Sequence, residues 1–456
     1  MTNTPLEAPP PRNRPILVGT GIIMAIAGVG IALASRTVWL ASIRPTIFVT
    51  GMAVSLAVVA VLVWRLAAAR FTRTIRNVHL MLLFAWLASL AAFIGTEMQF
   101  RDRRGSVLQA PPPDLARLGR HVMVGYRNIE ELRRLVRLGA VGGVFVTARN
   151  AADKSVAQIA NEIGGLQALA RQNGHPPLIV ATDQEGGMVS RLSPPLPKPK
   201  MLAELARASG RPDERRKHIE EYGFDVGRHL AQVGVTMNFA PVTDLDFGIR
   251  DPTDQLSRIS ERAIGSDPAL VGEVAGAYCR GLNAAGVLCT LKHFPGLGRV
   301  RGDTHIMSAS LAAPLATLEA TDWQPFRRVL KSGGAAVMMA HVIVNAIDAE
   351  RPASASRGTI DGILRKAWKF DGIVVTDDLT MIAASGRPGG IGAAGVDALT
   401  AGADLLLVAY DTDQVYALLD SLMAAWRDGK ISDDGLAKSA RRLARRAIAA
   451  PHARTH

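Results

Sequence analysis

The stretch GIVVTDDLTM, residues 372–381, indicates most directly how the chain folds. It begins with an uninterrupted apolar run, residues 373–375, and reaches two adjacent aspartates, Asp377 and Asp378. An apolar run without alternation predicts a strand buried on both faces, as in a parallel sheet that is covered by helices. Side chains alternate across a strand, so only one of the two carboxylates is expected to face a pocket at the strand's end.

Eight such runs follow residue 115, and stretches with helical spacing of apolar residues, such as 129–138, 214–232, 269–285 and 318–331, separate them. The runs occupy residues 121–126, 143–148, 178–183, 236–241, 287–293, 336–341, 373–377 and 404–410. Eight strand–helix units over about 340 residues predict an α/β fold, a closed (β/α)8 TIM-type barrel, with an open doubly wound sheet as the alternative. Catalytic residues of such a barrel lie at the carboxyl ends of its strands.

The first hundred residues have a different character. Three apolar runs, residues 16–35, 45–64 and 78–95, contain no Asp, Glu, Lys or Arg. Each has about the length of a helix that crosses a hydrocarbon core of roughly 30 Å. A cleaved signal peptide would account for the first run but not for the other two. The predicted domains are a transmembrane anchor of about three helices, a proline-containing linker and a catalytic barrel, at residues 1–100, 101–114 and 115–450.

The arginines that flank these runs predict the orientation of the anchor. The second connection carries four of them, whereas the first connection has only Arg36 and Arg44. Because cytoplasmic connections are enriched in Lys and Arg, the amino terminus and the second connection are expected inside a bacterial cell. The barrel is then expected on the extracytoplasmic side of a multi-pass membrane protein whose anchor contacts the lipid bilayer. Arg101, Arg103 and Arg104 oppose this orientation.

Composition excludes some classes of function. The net charge is +13, but aromatic residues make up only 5% and no basic stripe is interleaved with them, so no nucleic-acid partner is predicted. A basic chain suits anionic lipid or an acidic polymer equally well. The two cysteines, Cys279 and Cys289, lack metal-binding spacing, and we expect them to be buried free thiols. No metal and no cofactor is predicted.

Residues 292–305, KHFPGLGRVRGDTH, follow the fifth predicted strand and are rich in glycine, which predicts a flap over the pocket. Asp303 and His305 are two residues apart, so an extended backbone would place both side chains on one face. The aspartate could then orient the imidazole and stabilise its protonated form, as in general acid–base pairs. A solvent-exposed loop histidine is the alternative on spacing alone.

Two further predicted strands end in charged side chains that suit sugar chemistry. Asp377 at the seventh strand suits nucleophilic attack on an anomeric carbon, whereas Asp378 is expected to cap the following helix. The third strand ends in TDQEGGMVSRL, residues 182–192, in which Asp183 reaches the rim and Arg191 is predicted to fold back toward it. A carboxylate and a guanidinium suit charge-assisted hydrogen bonds to sugar hydroxyls.

Together these motifs resemble the beta-N-acetylhexosaminidases of glycoside hydrolase family 3. The resemblance covers residues 115–449 and rests on DQEGG, NFAPVTDL, SERAIGSDP, KHFPG, DTH and TDDLTM, which begin at Asp183, Asn238, Ser260, Lys292, Asp303 and Thr376. It implies that Asp377 is the nucleophile and that His305 with Asp303 is a mobile acid/base dyad. It also implies a set of residues that hold the sugar in subsite −1, namely Asp183, Arg191, Arg262, Lys292 and His293.

Two positions depart from the family pattern. Leu297 stands where the family usually has histidine, and Met188 stands where it usually has arginine. A membrane module is also not usual for the family. These changes leave the implied chemistry in place but affect contacts to the leaving group and the shape of the loop.

The resemblance implies a retaining hydrolase that removes beta-linked N-acetylglucosamine from glycans through a covalent intermediate on Asp377. No second domain follows the barrel in this sequence, so the acid/base is expected from the barrel itself. Exposure on a bacterial membrane favours cell-wall peptidoglycan fragments as substrate. Two alternatives remain: a glycoside phosphorylase that uses the same residues, and a non-catalytic cell-wall-binding membrane anchor.

Overall fold

A computed structural model describes residues 14–208 and 210–449 of the chain. These residues divide into two compact units, with the boundary between Gly105 and Ser106. The first unit consists of helices and the second contains a closed barrel of strands.

The first unit contains three long helices: α1 is Arg14–Ala34, α2 is Arg44–Ala68 and α3 is Arg73–Leu108, with a short 3-10 turn at Val38–Leu40. By length and composition, α2 and α3 could cross a membrane, and the apolar part of α1, Val18–Ala34, is shorter. Large apolar side chains point outward from all three helices; Phe84, for example, is 76% exposed. A surface of this kind is suited to lipid rather than to water.

Small and polar side chains hold the three helices together. Ala25, Leu62 and Trp86 form a small buried cluster, and the hydroxyls of Ser55 in α2 and Ser89 in α3 lie 3.2 Å apart. A Cβ at Gly28 would lie only 2.3 Å from the Ser89 hydroxyl, so glycine lets α1 approach α3 closely. Close approach through small residues is typical of helix packing in membranes.

The predicted linker, residues 101–114, is mostly helical in the structure. Helix α3 continues through Leu108, and α4, Pro112–Gly119, begins after residues 109–111. The prolines of this linker lie at the start of α4, where a missing N–H costs no helical hydrogen bond.

The predicted barrel is confirmed. Its strands are β1 Val122–Val124, β2 Gly143–Phe145, β3 Ile179–Thr182, β4 Met237–Asn238, β5 Leu288–Phe294, β6 Ala335–Met339, β7 Val374–Asp378 and β8 Leu405–Val408. Each strand pairs in parallel with the next along the chain, and β8 closes on β1 through the register Val122↔Leu406. All eight overlap the predicted runs, and closure excludes the open sheet.

A helix follows each barrel strand. In chain order these are α5 Ile129–Arg137, α6 Val156–Gln172, α7 Pro212–Gln232, α8 Pro268–Ala284, α9 Gln324–Ser332, a π-helix Gly358–Ala367, α10 Gly390–Ala401 and α11 Gln414–Arg427, and a last helix, α12, is Asp433–Ala449. The helix predicted at 318–331 is broken, because Pro325 lacks an N–H and begins α9 after a separate short helix, Leu315–Ala320.

Shorter elements decorate the barrel loops. The short helices are Ala148–Ala151, Leu202–Ala208, Ile259–Arg262, Ala353–Ala355 and Ile382–Ser385, and the short strands are Gln184–Gly186, Val189–Ser190, Ala309–Leu311, Val342–Val344 and Asp348–Pro352. Most of them follow the carboxyl ends of barrel strands, where they build the rim that carries the candidate site.

Apolar side chains fill the inside of the barrel. Phe145 and Phe239 stack with ring centroids 5.6 Å apart, and Leu443 of α12 joins the same core cluster. Helix α12 covers the amino-terminal end of the barrel, because Ser439 contacts His121 just before β1 and Arg442 contacts Asp404 just before β8. The interior is therefore a packed core, and any substrate site must lie at the rim.

The expectation of two free thiols is wrong, because Cys279 and Cys289 form a disulfide. Cys279 lies in α8 and Cys289 in β5, and a turn at Gly286, with φ +84°, reverses the chain between them. Their Cα atoms are 5.2 Å apart. Spacing along the sequence concealed this contact, because it arises only where the helix folds back onto the outer side of its following strand.

Candidate active site

Asp377 and Asp378 at the end of β7 have different environments, as the alternation of strand side chains predicts. The Asp378 carboxylate accepts hydrogen bonds from the backbone N–H groups of Ala409 and Tyr410, both at 3.0 Å, and from Thr380. It therefore ties β7 to the segment after β8 instead of capping a helix. Burial raises the pKa of Asp378 despite these hydrogen bonds.

Asp377 has few direct partners. Its Oδ1 accepts the N–H of Asp378 at 2.8 Å, and no other described group hydrogen-bonds to its carboxylate. Burial acts to raise the pKa of Asp377, but the nearby imidazoles, led by His293 and including His305, lower it more. The result is an ionised carboxylate at the rim whose oxygens are largely free to react.

Asp303 and His305 form the pair that their spacing predicted. Asp303 Oδ1 lies 2.7 Å from His305 Nδ1, and it also accepts the His305 N–H at 3.0 Å. Ser257 and the Leu256 N–H donate to the same carboxylate at 3.1 and 2.8 Å. The aspartate is fully buried, whereas the His305 side chain is 37% exposed. The imidazole is thus held at Nδ1 and presents its Nε2 edge outward.

The charge on His305 is favoured by its surroundings. Burial disfavours the imidazolium, but the Asp303 hydrogen bond and the negative charge of Asp377 outweigh it and raise the pKa of His305. Hydrogen bonds from His305 and neighbouring N–H groups likewise outweigh burial and lower the pKa of Asp303. A carboxylate that stays ionised beside a readily protonated imidazole is suited to general acid–base chemistry.

The loop that carries this pair is attached to the segment after β7. The N–H groups of Ile382 and Ala383 donate to the carbonyls of His305 and Thr304 at 3.1 and 3.3 Å. These bonds place the Asp303–His305 pair beside the segment that follows Asp377.

A network of buried charges joins the segment after β3, the short helix Ile259–Arg262 and β5 at the rim. Lys292 Nζ contacts Asp183 at 2.7 Å and Glu185 at 2.5 Å. Arg262 binds Glu185 with two hydrogen bonds of 2.7 and 2.9 Å. Burial opposes the charges of Lys292 and Arg262, but the adjacent carboxylates raise the pKa of both. Both cations thus remain charged at the floor of the site, and the 22% exposed Asp183 can still accept a hydrogen bond.

A second histidine–aspartate pair lies nearby. Asp244 Oδ2 is 2.7 Å from His293 Nδ1, and the same carboxylate accepts the N–H groups of His293 and Leu297. Arg262 Nη2 approaches His293 Nε2 at 3.5 Å. This pair is almost completely buried, with 7% of the His293 side chain exposed. His293 is therefore fixed in position at both nitrogens.

Arg191 lies at the rim, but the structure does not bring its side chain into this network. Its backbone N–H donates to the Asp183 carbonyl at 3.0 Å, whereas its exposed side chain has no hydrogen-bond or ion-pair partner among the described residues. Its charge is close enough to Arg149 to lower the pKa of that guanidinium, on which burial and Arg127 act more strongly.

Arg127, Arg149 and Arg191 form a group that we call the rim arginines. Arg127 and Arg149 each lie 5.6 Å from the centre of the Tyr410 ring and donate to the Tyr410 carbonyl at 3.4 Å. None of the three forms an ion pair within the described parts of the chain. Three loops, after β1, β2 and β3, thus present positive charge beside the end of β8.

The predicted glycine-rich flap is only partly correct. Residues 292–298 are buried, and a Cβ at Gly298 would meet the Leu245 carbonyl at 1.8 Å. The first half of the loop is therefore packed against the barrel, and glycine is needed for close approach. Leu297 belongs to this packed part, with 5% exposed, whereas Met188 is 44% exposed at the rim.

Sequence reasoning missed three residues of the site: Glu185, Asp244 and Ser257. Glu185 lies inside DQEGG and Asp244 inside NFAPVTDL, so the motifs contained them, but nothing in the spacing showed that they hold Arg262 and His293. Ser257 lies in none of the motifs. Its contact with Asp303 could not be predicted from the sequence, because the two residues are 46 positions apart on different loops. Among the described residues no group of His, Cys, Asp and Glu is arranged to hold a metal ion.

Comparison with known proteins places this site in a family. Residues 116–446 match the glycosyl hydrolase family 3 N terminal domain. The chain is 36% identical over 283 residues to a beta-hexosaminidase of Nitrosomonas eutropha, covering 62% of this chain and 77% of the relative. It is 34% identical over 346 residues to the beta-hexosaminidase LpqI of Mycobacterium tuberculosis, covering 74% and 82%.

A solved family 3 beta-N-acetylglucosaminidase from Paenibacillus sp. has a similar structure. It is 33% identical, with a TM-score of 0.68 over 75% of this chain and 64% of that chain. The match to the family model spans the barrel and its rim motifs and does not include the apolar helices before residue 116. The chain therefore belongs to glycosyl hydrolase family 3, in the group whose members are named beta-hexosaminidases.

Proposed function

We propose that this chain is a retaining beta-N-acetylhexosaminidase in which Asp377 is the nucleophile and the Asp303–His305 pair is the acid/base. One observation carries the proposal: the 2.7 Å contact between Asp303 and His305 lies on a loop that is hydrogen-bonded to the segment after Asp377. Retention needs a nucleophile and a separate acid/base group on one site. The names of the relatives support the substrate class.

In the first step the ionised carboxylate of Asp377 attacks the anomeric carbon of the bound sugar. The bond from that carbon to the leaving oxygen breaks, and the leaving oxygen takes a proton from His305. The lowered pKa of Asp377 and the raised pKa of His305 favour the protonation states that this step requires.

In the second step the now neutral imidazole of His305 takes a proton from water. The resulting hydroxide attacks the anomeric carbon and displaces Asp377 as a carboxylate, so two inversions leave the configuration unchanged. Asp303 stabilises the imidazolium that forms again, because it stays ionised at 2.7 Å.

The charged network at the rim is suited to holding the sugar. Asp183 and Lys292, which contact each other, can bind hydroxyl groups, and Arg262 and His293 are fixed in position by Glu185 and Asp244. Arg191 is exposed, so a role for it at the sugar requires its side chain to turn inward when substrate binds. Hydrogen bonds from charged groups are stronger than neutral ones and reject sugars that lack the matching hydroxyl.

The rim arginines favour an acidic group on the sugar beyond the cleavage site. Arg127 and Arg149 lie beside Tyr410, and the charge of Arg191 acts on Arg149; none of the three has a carboxylate partner among the described residues. Burial together with mutual repulsion lowers the pKa of Arg149. A substrate carboxylate would relieve that repulsion. Peptidoglycan fragments in which N-acetylglucosamine is linked to muramic acid carry such a carboxylate, so we propose them as the natural substrate.

We further propose that the first unit is a three-helix membrane anchor that places the barrel outside the cytoplasm. The argument from the positive-inside rule becomes stronger when the arginines that are already neutralised within the protein are set aside. Arg36 and Arg101 both bind Glu97, at 2.6 and 2.7 Å, and buried Arg44 donates to the Ser35 carbonyl. These three groups flank the ends of the apolar runs that the proposed topology places outside.

The arginines on the proposed cytoplasmic side differ from these in exposure and in ion pairing. Arg65, Arg70, Arg73 and Arg76 are all exposed, and none has an ion-pair partner in the described chain. They can therefore interact with the anionic head groups of a cytoplasmic leaflet. The Cys279–Cys289 disulfide also supports an extracytoplasmic barrel, since disulfides persist in oxidising compartments and are rare in the cytosol.

The activity is tested with the full chain in neutral detergent, assayed on chromogenic N-acetylglucosaminide and glucoside substrates with and without added phosphate. We expect hydrolysis of the N-acetylglucosaminide that does not require phosphate. NMR of the released sugar should show that the anomeric configuration is retained. Turnover that requires phosphate would instead identify a phosphorylase, and absence of turnover on any glycoside would favour a non-catalytic wall anchor.

The topology is tested by fusing reporters after Leu115 in a bacterial host. An exported reporter such as a phosphatase should be active there, and a cytoplasmic reporter at the same position should be inactive. The matched control is a fusion between Arg70 and Arg73, which should show the opposite pattern. A reporter after Leu115 that is active only in the cytoplasm would overturn the export proposal and leave the glycosidase proposal standing.

A further inference from the structure

A cavity of about 430 Å³ lies on the face of the barrel opposite the candidate active site. Its walls are the π-helix and the loop before β7, the end of α10 before β8, and the first half of α12. All of these segments meet at the amino-terminal ends of β7 and β8, whereas Asp377 lies at the carboxyl end of β7. A volume of this size is within the range of roughly 300–1,000 Å³ that small-molecule sites occupy.

Positive charge dominates the lining of this cavity. Its six basic residues are Arg357, Arg365, Lys369, Lys430, Lys438 and Arg442, against two carboxylates, Asp361 and Asp371. The buried carboxylate of Asp404 binds Arg365 and Arg442 at 2.6 and 2.8 Å, and this fixes the inner wall. The remaining four cations are exposed and line the mouth.

The cations at the mouth are weakly neutralised. Lys430 and Lys438 contact the exposed Asp428 and Asp434 at 3.5 and 2.6 Å, and exposed pairs of this kind contribute little energy. Lys369 has no ion-pair partner within the described residues. Arg357 likewise contacts no carboxylate there and donates to the Thr400 carbonyl at 3.3 Å. An anion entering the cavity would therefore meet several cations that have little competing charge.

The backbone at Lys369 gives a second, independent observation. Lys369 has φ +53°, in the left-handed region where glycine is favoured, directly after the π-helix. The backbone at this position disfavours any residue with a Cβ, and lysine places a long cationic side chain at the cavity.

The cavity also lies on the face where the chain enters the barrel unit. Helix α4 leads directly into β1, and Arg117 of α4 binds Asp433, the first residue of α12, at 2.8 Å. The neighbouring Asp434 is the partner of Lys438 at the cavity mouth. Helix α4 therefore lies beside the cationic mouth.

We propose that this cavity binds a phosphate-bearing ligand, and that its site is separate from the glycosidase site. Several cations converging from three segments suit the tetrahedral, multiply charged phosphate better than a single carboxylate. Such a phosphate could belong to the head group of an anionic membrane lipid or to a soluble phosphate ester. The proposal does not depend on the glycosidase activity, because none of its residues lies at the catalytic rim.

Binding is measured by calorimetry on the full chain in neutral maltoside micelles. The probes are glycerol 3-phosphate, dioctanoyl phosphatidylglycerol and, as the phosphate-free control, dioctanoylglycerol. We expect saturable binding of at least one phosphate-bearing probe and none of dioctanoylglycerol. Binding of the lipid alone would identify a head-group site, whereas binding of both phosphate probes would identify a site that also takes soluble esters.

The test variant is Lys369→Gly/Lys430→Gln/Lys438→Gln, which removes three exposed cations and leaves the Asp404 contacts intact. The matched control, Arg171→Gln/Lys217→Gln/Lys331→Gln, removes the same charge from exposed positions on α6, α7 and α9. The test variant should lose at least about tenfold in affinity and the control should lose much less.

Equal losses in the two variants would show that binding reflects only the basic charge of the whole protein, and would overturn the proposal. Absence of saturable binding by either phosphate probe would overturn it as well. The single variant Lys369→Gly guards against misfolding, since glycine suits the left-handed backbone there. Turnover of a chromogenic glycoside should be unchanged in all three variants.

Discussion

The two histidine–aspartate pairs of the site have the same contact but different surroundings. In both, an aspartate oxygen lies 2.7 Å from a histidine Nδ1. His293 is 7% exposed and Arg262 lies at its Nε2, whereas His305 is 37% exposed and its Nε2 edge is open. The first pair fixes its ring in place, and the second leaves its ring accessible, as the proposed exchange of a proton with substrate requires.

The difference follows from where the partners lie in the chain. Asp303 and His305 are two residues apart on one loop, so they can move together and remain hydrogen-bonded. Asp244 comes from the segment after β4 and His293 from β5 itself, so their contact holds the two together. The same chemical contact thus lies within one loop in the first case and joins two distant segments of the rim in the second.

The largest expected effect comes from Asp377, the carboxylate that both histidines face. Asp377→Ala should lower kcat by roughly four to six orders of magnitude, because no second carboxylate is placed to attack. The measurement is turnover together with mass spectrometry of the enzyme after a fluorinated substrate analogue, which should label the peptide at Asp377. Label found on Asp378 would show that the wrong carboxylate had been assigned.

Substitution of the two histidines should separate the roles of the pairs. His305→Ala should slow substrates with poor leaving groups by roughly 10²–10⁴-fold and those with good leaving groups far less, because acid assistance matters only where the leaving oxygen is basic. His293→Ala should reduce kcat/KM by similar factors for both kinds of leaving group. If the loss of activity in His305→Ala did not depend on the leaving group, the proposed difference between the two pairs would be contradicted.

Substitution of the two aspartates should give a smaller effect that depends on pH. The acid form of His305 is required, so activity falls as pH rises through its raised pKa. Asp303→Asn removes a contact that raises this pKa, so the alkaline limb of kcat/KM should move to lower pH. Asp244→Asn should lower kcat/KM without moving that limb. An unmoved limb in Asp303→Asn would indicate that another group controls it.

The rim arginines should have the smallest effect, and only on some substrates. Arg149→Gln should reduce kcat/KM for a muramic acid-containing disaccharide by about tenfold, since one charge-assisted hydrogen bond is lost, and should leave a chromogenic N-acetylglucosaminide nearly unchanged. Arg133→Gln, on the outer surface of α5, is the matched control. Equal losses on both substrates would remove the argument for an acidic aglycone.

The sequence by itself determined the barrel and singled out the candidate reacting groups. Uninterrupted apolar runs identify strands that are buried on both faces, and eight of them separated by helices leave few architectures. Asp377 was separable from Asp378 because side chains alternate along a strand, and Asp303 with His305 was visible because the two are local. Each of these inferences uses interactions between residues close in sequence.

The tertiary structure alone decided what joins distant segments. Glu185 holds Arg262 from 77 residues away, Asp244 holds His293 from 49 residues away, and Cys279 meets Cys289 only because α8 folds back on β5. The cationic cavity likewise forms where the ends of several helices meet. Such contacts depend on the relative placement of whole elements, which closure of the barrel fixes and which no local pattern of residues encodes.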